Sequence, residues 1–114
     1  MRHQAATSHT IVVEGVPVRL NGVAAPELRQ RMGGKAKTFM IRLVDDKTVT
    51  CELSGRKTHD RWVGICYRDG QDIGAAIIAA GLARDCPRYS GGRYSDDETS
   101  QSRTLPLPKY CVGR

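Results

Sequence analysis

Arg19 and Glu27 are the residues whose types and placement could do chemistry. An arginine fork matches the paired oxygens of a phosphate, and a carboxylate is a workable base near neutral pH. Both belong to one stretch, IVVEGVPVRLNGVAAPE, running from Ile11 to Glu27. Ile11–Val13 and Val16–Leu20 are β-branched or apolar runs separated by Glu14-Gly15, which reads as a hairpin. Arg19 lies in the second run. Asn21-Gly22 ends that run, and Ala24-Ala25-Pro26 turns the chain so that Glu27 arrives at the mouth of the sheet. The plain alternative for the pair is a surface ion pair.

The elements that must carry these residues follow from the patterning. Residues 3–7 offer a weak first strand. After the polar LRQRM segment, Gly33-Gly34 reads as a hinge before a helix over Lys35–Val44, where Ala36, Phe39, Met40 and Leu43 make one apolar face. Thr48–Ser54 alternates Val49, Cys51 and Leu53 with polar residues and reads as a half-buried strand. GRKTHD, from Gly55 to Asp60, reads as a polar loop, and Arg61–Arg68 as the returning strand. Asp72 is a good N-cap for the helix IGAAIIAAGLA, and Gly81 a good end for it. Arg84–Tyr94 reads as a loop. Ser95 with Glu98 forms a capping-box pattern for a short helix to about Ser102. The tail, with Pro106 and Pro108, should be extended and held if Cys111 is bonded. Strands come early, and a helix falls between the third and fourth. That order predicts an α+β, mainly β architecture: an OB-fold five-stranded barrel with three short helices over residues 1–104, and an extended tail over 105–114 packed on it.

At 114 residues the chain is long enough for one modest core. With 39% hydrophobic and 26% charged residues it falls in the ordinary globular class. No apolar run approaches the roughly 20 residues a bilayer span needs, and MRHQAATSH contains no signal-peptide core. Eighteen Lys and Arg against 12 Asp and Glu give a net charge of +6, which favours an anionic partner such as nucleic acid. None of Cys51, Cys66, Cys86 and Cys111 forms a CxxC pair, which argues against a zinc ribbon. Two readings stay open: disulfides in an exported protein, or four buried thiols in a cytosolic one.

In order and spacing, TIVVEGVPVRLNGVAAPE, GGKAKTFMIRL, VTCEL, DRWVG, DGQDIGAAIIAAGLA and RYSGGRY resemble the thermonuclease, or staphylococcal-nuclease-like, domain family over most of the chain. The resemblance implies phosphodiester hydrolysis of DNA or RNA: a glutamate activates or orients water while two arginines hold the phosphate as charge builds. The matching positions are Glu27, Arg19 and Arg61. A tyrosine frequent in the family is replaced by His59, which could stack on a base or donate to a phosphate. Arg88, Tyr89 and Arg93 form an aromatic and basic edge suited to stacking and backbone contact, whereas Tyr94 suits an anchoring role.

Two departures bear on the cofactor. The family opens its first hairpin with Asp-Gly-Asp-Thr, where this chain has Thr7-Ser8-His9-Thr10. It continues with Asp-Ala-Pro-Glu or Asp-Thr-Pro-Glu, where this chain has Ala24-Ala25-Pro26-Glu27. The resemblance implies a calcium ion, and these replacements remove both aspartates that would hold it. Calcium takes six to eight oxygens, so binding should be weak or absent unless His9 and Glu27 hold a softer ion such as zinc or manganese. Given the fold the resemblance implies, Cys51 pairs with Cys66, helped by a bulge near Arg61–Gly64, and Cys86 with Cys111. Both bonds together would place the protein in the periplasm or outside the cell. Three functions then compete: a nuclease with weak or altered-metal activity, an inactive nucleic-acid-binding module, and a protein-interaction domain with a vestigial site.

Overall fold

The computed structural model describes residues 4–5 and 7–112. In chain order the elements are β1 (Gln4–Ala5), β2 (Thr10–Val13), β3 (Val16–Leu20), β4 (Val23–Ala24), α1 (Gly33–Val44), β5 (Thr50–Thr58), β6 (Arg61–Arg68), β7 (Gln71–Asp72), α2 (Ile73–Ala79), β8 (Arg84–Asp85) and α3 (Pro87–Ser90). The strand expected over 3–7 is present as Gln4–Ala5, antiparallel to β2. Positions 3 and 6 lie outside the described residues.

Glu14 and Gly15 both have positive φ, 50° and 81°, the turn geometry that matches the natural twist of a two-residue hairpin. β2 and β3 therefore pair from Val13↔Val16 back to Thr10↔Arg19. The five main strands run β1-β2-β3-β6-β5, with β7 on the free end of β6. β3 and β6 are parallel, with Arg19 opposite Val63. This five-stranded mixed sheet with three helices is the OB-fold architecture, α+β and mainly β. Its core gathers Ile11, Val18 and Leu20 from the sheet, Ala36, Met40 and Val44 from α1, and Ile73, Ile77 and Ile78 from α2.

Asp72 caps α2 by accepting from the Ala75 N–H at 3.2 Å. At the other end Gly81, at φ 81°, lets its own N–H reach Ile78 O while Leu82 N–H reaches Ile77 O. Only glycine takes that left-handed turn without strain, so the helix stops there.

Five local expectations are corrected. Gly33 and Gly34 are the first turn of α1, not a hinge before it. β5 extends through Thr58, so most of the supposed loop is strand and only His59-Asp60 turns. Its outer half is wet on both faces, which leaves no apolar alternation to read. The bulge lies on β5, between Leu53 and Lys57, rather than on β6, and it leaves Cys51 directly opposite Cys66. The helix expected at Ser95–Ser102 is a 3₁₀ turn at Ser95–Asp97 and a second at Ser102–Thr104. Glu98 turns away from Ser95 to accept from Arg84 Nε at 3.2 Å and Asp85 N at 3.0 Å. The reciprocal capping bonds are made instead by Thr99 and Ser102. The third helix is the single turn α3, inside the segment read as loop.

The cysteines are bonded as Cys51–Cys66 and Cys86–Cys111. In the tail Leu105 is buried, and Lys109–Cys111 forms a further 3₁₀ turn. No helix among the described residues is long and apolar enough to cross a membrane.

Candidate functional site

Strand register sets the site. Thr10, Arg19, Val63 and Arg61 fall on one face, because Thr10 pairs with Arg19, Arg19 with Val63, and Arg61 lies two residues before Val63. The Arg61 guanidinium accordingly donates to Thr10 Oγ1 at 3.0 Å. Beyond that face a cleft of about 620 Å³ opens, and Arg19, Arg61, Glu27, His9 and His59 all line it. Tyr89 lines its edge.

Arg19 is largely withdrawn from solvent, and burial pushes its guanidinium below the usual range. The neighbouring Arg61 charge acts in the same direction, while the phenol of Tyr110 opposes it. One arm of the Arg19 fork donates to the carbonyl of Leu20. Among the described residues no ion pair joins Arg19 or Arg61 to Glu27. The surface ion pair is thereby set aside. Two cations face a cleft with no side-chain anion among the described residues bound to either, an arrangement suited to an incoming anion.

His9 sits in the turn before β2. Burial, then Arg19, then Arg61, lower its pKa from 6.5 to about 4, so the imidazole is neutral at physiological pH. Its Nδ1 is buried without a hydrogen-bond partner. The turn is fastened by Ser8, whose buried hydroxyl donates to Pro26 O at 3.0 Å. That bond joins the His9 turn to the segment carrying Glu27. Glu27 itself is exposed, and its backbone N–H is held by Gln30 Oε1 at 2.9 Å. Glu27 O accepts from Gln30 N, and Gly33 packs so closely there that a Cβ would lie 2.0 Å from that oxygen. The glycine is therefore what allows α1 to start directly beneath the glutamate.

Of the edge residues, Tyr89 stands on α3, with its carbonyl accepting from Asn21 Nδ2 at 3.1 Å and with Arg56 and Arg88 over its ring at 5.3 and 5.5 Å. Arg88 is exposed beside it but does not line the cleft. Arg93 is not brought to the cleft. It is bonded to Asp72 at 3.0 Å and to Tyr67 at 3.1 Å. Tyr94 is buried and donates to Asp72, anchoring the loop on α2.

Sequence reasoning missed Arg56 and Tyr110, both of which line the cleft. Arg56 reaches it from the outer part of β5. Tyr110 had one readable signal, its place beside Cys111: a Cys86–Cys111 bond brings it to the edge where Tyr89 stands.

Calcium does not fit these residues. Among those described, no three His, Cys, Asp or Glu side chains are grouped to hold a metal ion. Ala24, at one of the expected carboxylate positions, is buried against Cys86, Cys111 and Leu107 rather than lining the cleft. Glu27 and an imidazole are too few and too soft a donor set for that hard cation.

Against known proteins, the sequence profile of a family described as staphylococcal nuclease homologue matches residues 17–104. The chain is 33% identical over 106 residues to the succinoglycan biosynthesis protein ExoI of Rhizobium meliloti, covering 82% of this chain and 56% of that protein. It is 30% identical over 77 residues to an uncharacterized endonuclease of Haemophilus influenzae, covering 68% of this chain and 43% of that one. The chain thus spans about half the length of these two curated relatives.

Proposed function

This chain belongs to the staphylococcal nuclease homologue family, and from that premise we propose that its cleft holds the phosphodiester backbone of DNA or RNA and cleaves it weakly or with an altered metal requirement. The observation that carries the reading is the convergence of Arg19, Arg61 and Glu27 on one cleft in which neither arginine is ion-paired to the glutamate. Arg19 and Arg61 grip the phosphate and offset the charge that builds on its oxygens in the transition state. Glu27, exposed at the cleft wall, orients or deprotonates the attacking water. His9 is neutral and adds no positive charge. It can offer a ring nitrogen to a phosphate oxygen or, with Glu27, to a divalent ion softer than calcium. His59, Tyr89 and Arg88 contact the strand along the edge. Arg93, committed to Asp72, has at most a secondary part. The two disulfides suit an oxidising compartment, secreted or periplasmic.

The poor fit to calcium favours one second reading. Without a resident Lewis acid several kcal/mol of transition-state stabilisation are lost, and an inactive nucleic-acid-binding module on the same fold would keep the arginines while losing turnover.

One assay separates the two. Purified protein is incubated with single-stranded DNA and RNA in turn with Ca²⁺, Mg²⁺, Mn²⁺ and Zn²⁺. Slow cleavage that Glu27→Gln abolishes is expected. No cleavage with any ion, alongside retained binding, would establish the module instead.

A further inference from the structure

The outer half of β5 brings a third cation to the cleft, one that the chemistry above does not use. Thr58 pairs with Arg61 across the β5–β6 hairpin, and Arg56 stands two positions before Thr58 on the same strand. Strand alternation turns Arg56 and Thr58 to one side, and both line the cleft with Arg61. Arg56 is exposed, and its guanidinium lies 5.3 Å from the centre of the Tyr89 ring. Its partner is an aromatic face rather than a carboxylate. Among the described residues no ion pair engages Arg56.

The bulge in β5 sets where Arg56 stands. The register that runs from Thr50↔Tyr67 to Leu53↔Gly64 would, if continued, put Arg56 directly opposite Arg61, and like charges so placed repel. Between the Leu53↔Gly64 and Lys57↔Trp62 pairs, however, three residues of β5 stand across from Val63 alone. Thr58 takes the place opposite Arg61 as a result. Ser54 fastens the bulge: its hydroxyl donates to Val63 O at 3.1 Å and accepts from the Arg56 N–H at 3.2 Å. Gly55, at φ 87°, supplies the left-handed turn between them. Arg56 is thereby offset from Arg61 along the hairpin while facing the same cleft. Cations spaced in this way suit successive charges of a polyanion better than one shared anion.

We propose that Arg56 is a further contact to the nucleic-acid backbone, taking the phosphate next to the one held by Arg19 and Arg61, so that the cleft reads a pair of adjacent phosphates. This rests on the reading of Arg19 and Arg61 as the phosphate-holding pair. Tyr89 keeps the Arg56 guanidinium at the cleft edge through a face contact that does not use its N–H donors.

The test uses two fluorescently labelled thymidine decamers, one fully charged and one in which every second phosphate is replaced by a neutral methylphosphonate, with affinity read by anisotropy in the absence of divalent ions. On the charged decamer Arg56→Ala should weaken binding about 3–10-fold and lower the slope of log K against log salt by about 0.7, with the thermal midpoint unchanged. Arg56→Lys, which keeps the charge, should keep the slope. On the alternating decamer the phosphate beside the one at Arg19 and Arg61 is always neutral, so Arg56→Ala should bind it as the native protein does. Native-like binding of the charged decamer by Arg56→Ala would overturn the inference, as would an equal loss on both decamers. The Arg19→Ala, Arg61→Ala variant keeps the two claims apart. If it loses binding to both decamers while Arg56→Ala loses none, only the role of Arg56 fails; if it binds like the native protein, the phosphate-site reading fails with it.

Discussion

At the residue scale, the unusual member of the site is His9. A largely withdrawn imidazole that also feels the Arg19 and Arg61 charges resists protonation, which is why its pKa falls from 6.5 to about 4. Between those values the unfolded chain takes up a proton that the folded chain refuses, so stability declines as pH falls from 6.5 to 4 and is unaffected by this residue above 6.5. The span sets a ceiling of about 3 kcal/mol. Urea unfolding of His9→Gln at a series of pH values should show a flatter decline across that window than the native protein. An identical slope would mean that His9 titrates normally in the fold. The placement of Glu27 depends equally on a residue with no side chain. Gly33→Ala would drive a Cβ into the Glu27 carbonyl, whereas Gly34, its neighbour, faces open space. Gly33→Ala should therefore cost about 1–3 kcal/mol and displace Glu27. Gly34→Ala should stabilise α1 by about 0.5–1 kcal/mol. Denaturation midpoints of the two variants moving together would contradict the packing described.

At the element scale, two features hold the cleft: the β2–β3 hairpin with its parallel neighbour β6, and the segment from β8 to the tail. The first was legible in the sequence, because Val16–Leu20 has a clear β pattern and Glu14-Gly15 a clear turn. Arg19 and Glu27 stood out by type and placement, and Arg61 by motif likeness. Strand register puts Arg19 and Arg61 on one face, whereas Glu27 reaches the cleft on the loop that Ser8 fastens at Pro26. The second feature was legible only in part, as the Cys86–Cys111 bond that the family likeness implied. Glu98 sits at the right spacing to cap Ser95 but is taken by Arg84 and the Asp85 N–H, a long-range competition that local spacing does not reveal. Arg56 was missed because the outer half of β5 is solvated on both faces, and Tyr110 because its position depends on a disulfide. The tail bond closes a separation of 25 residues. Removing it should cost about 3.5 kcal/mol on loop-closure grounds. Thermal unfolding of the Cys86→Ser, Cys111→Ser variant checks that value, and an unchanged midpoint would mean that the tail is held by packing alone.

At the scale of the whole molecule, the net charge of +6 gives general attraction for a polyanion, and in the proposed reading Arg19 and Arg61 are where it docks. Both the hydrolytic and the non-catalytic readings require that a phosphate lie between these two arginines, so the most direct measurement is the salt dependence of single-stranded DNA binding by the native protein and by Arg19→Ala, Arg61→Ala. Each lost phosphate contact removes about 0.7 from the slope of log K against log salt. The double variant should therefore bind more weakly, with a slope smaller by about 1.4. Equal affinity and equal slope would contradict the account, because they would place the nucleic acid elsewhere on the basic surface.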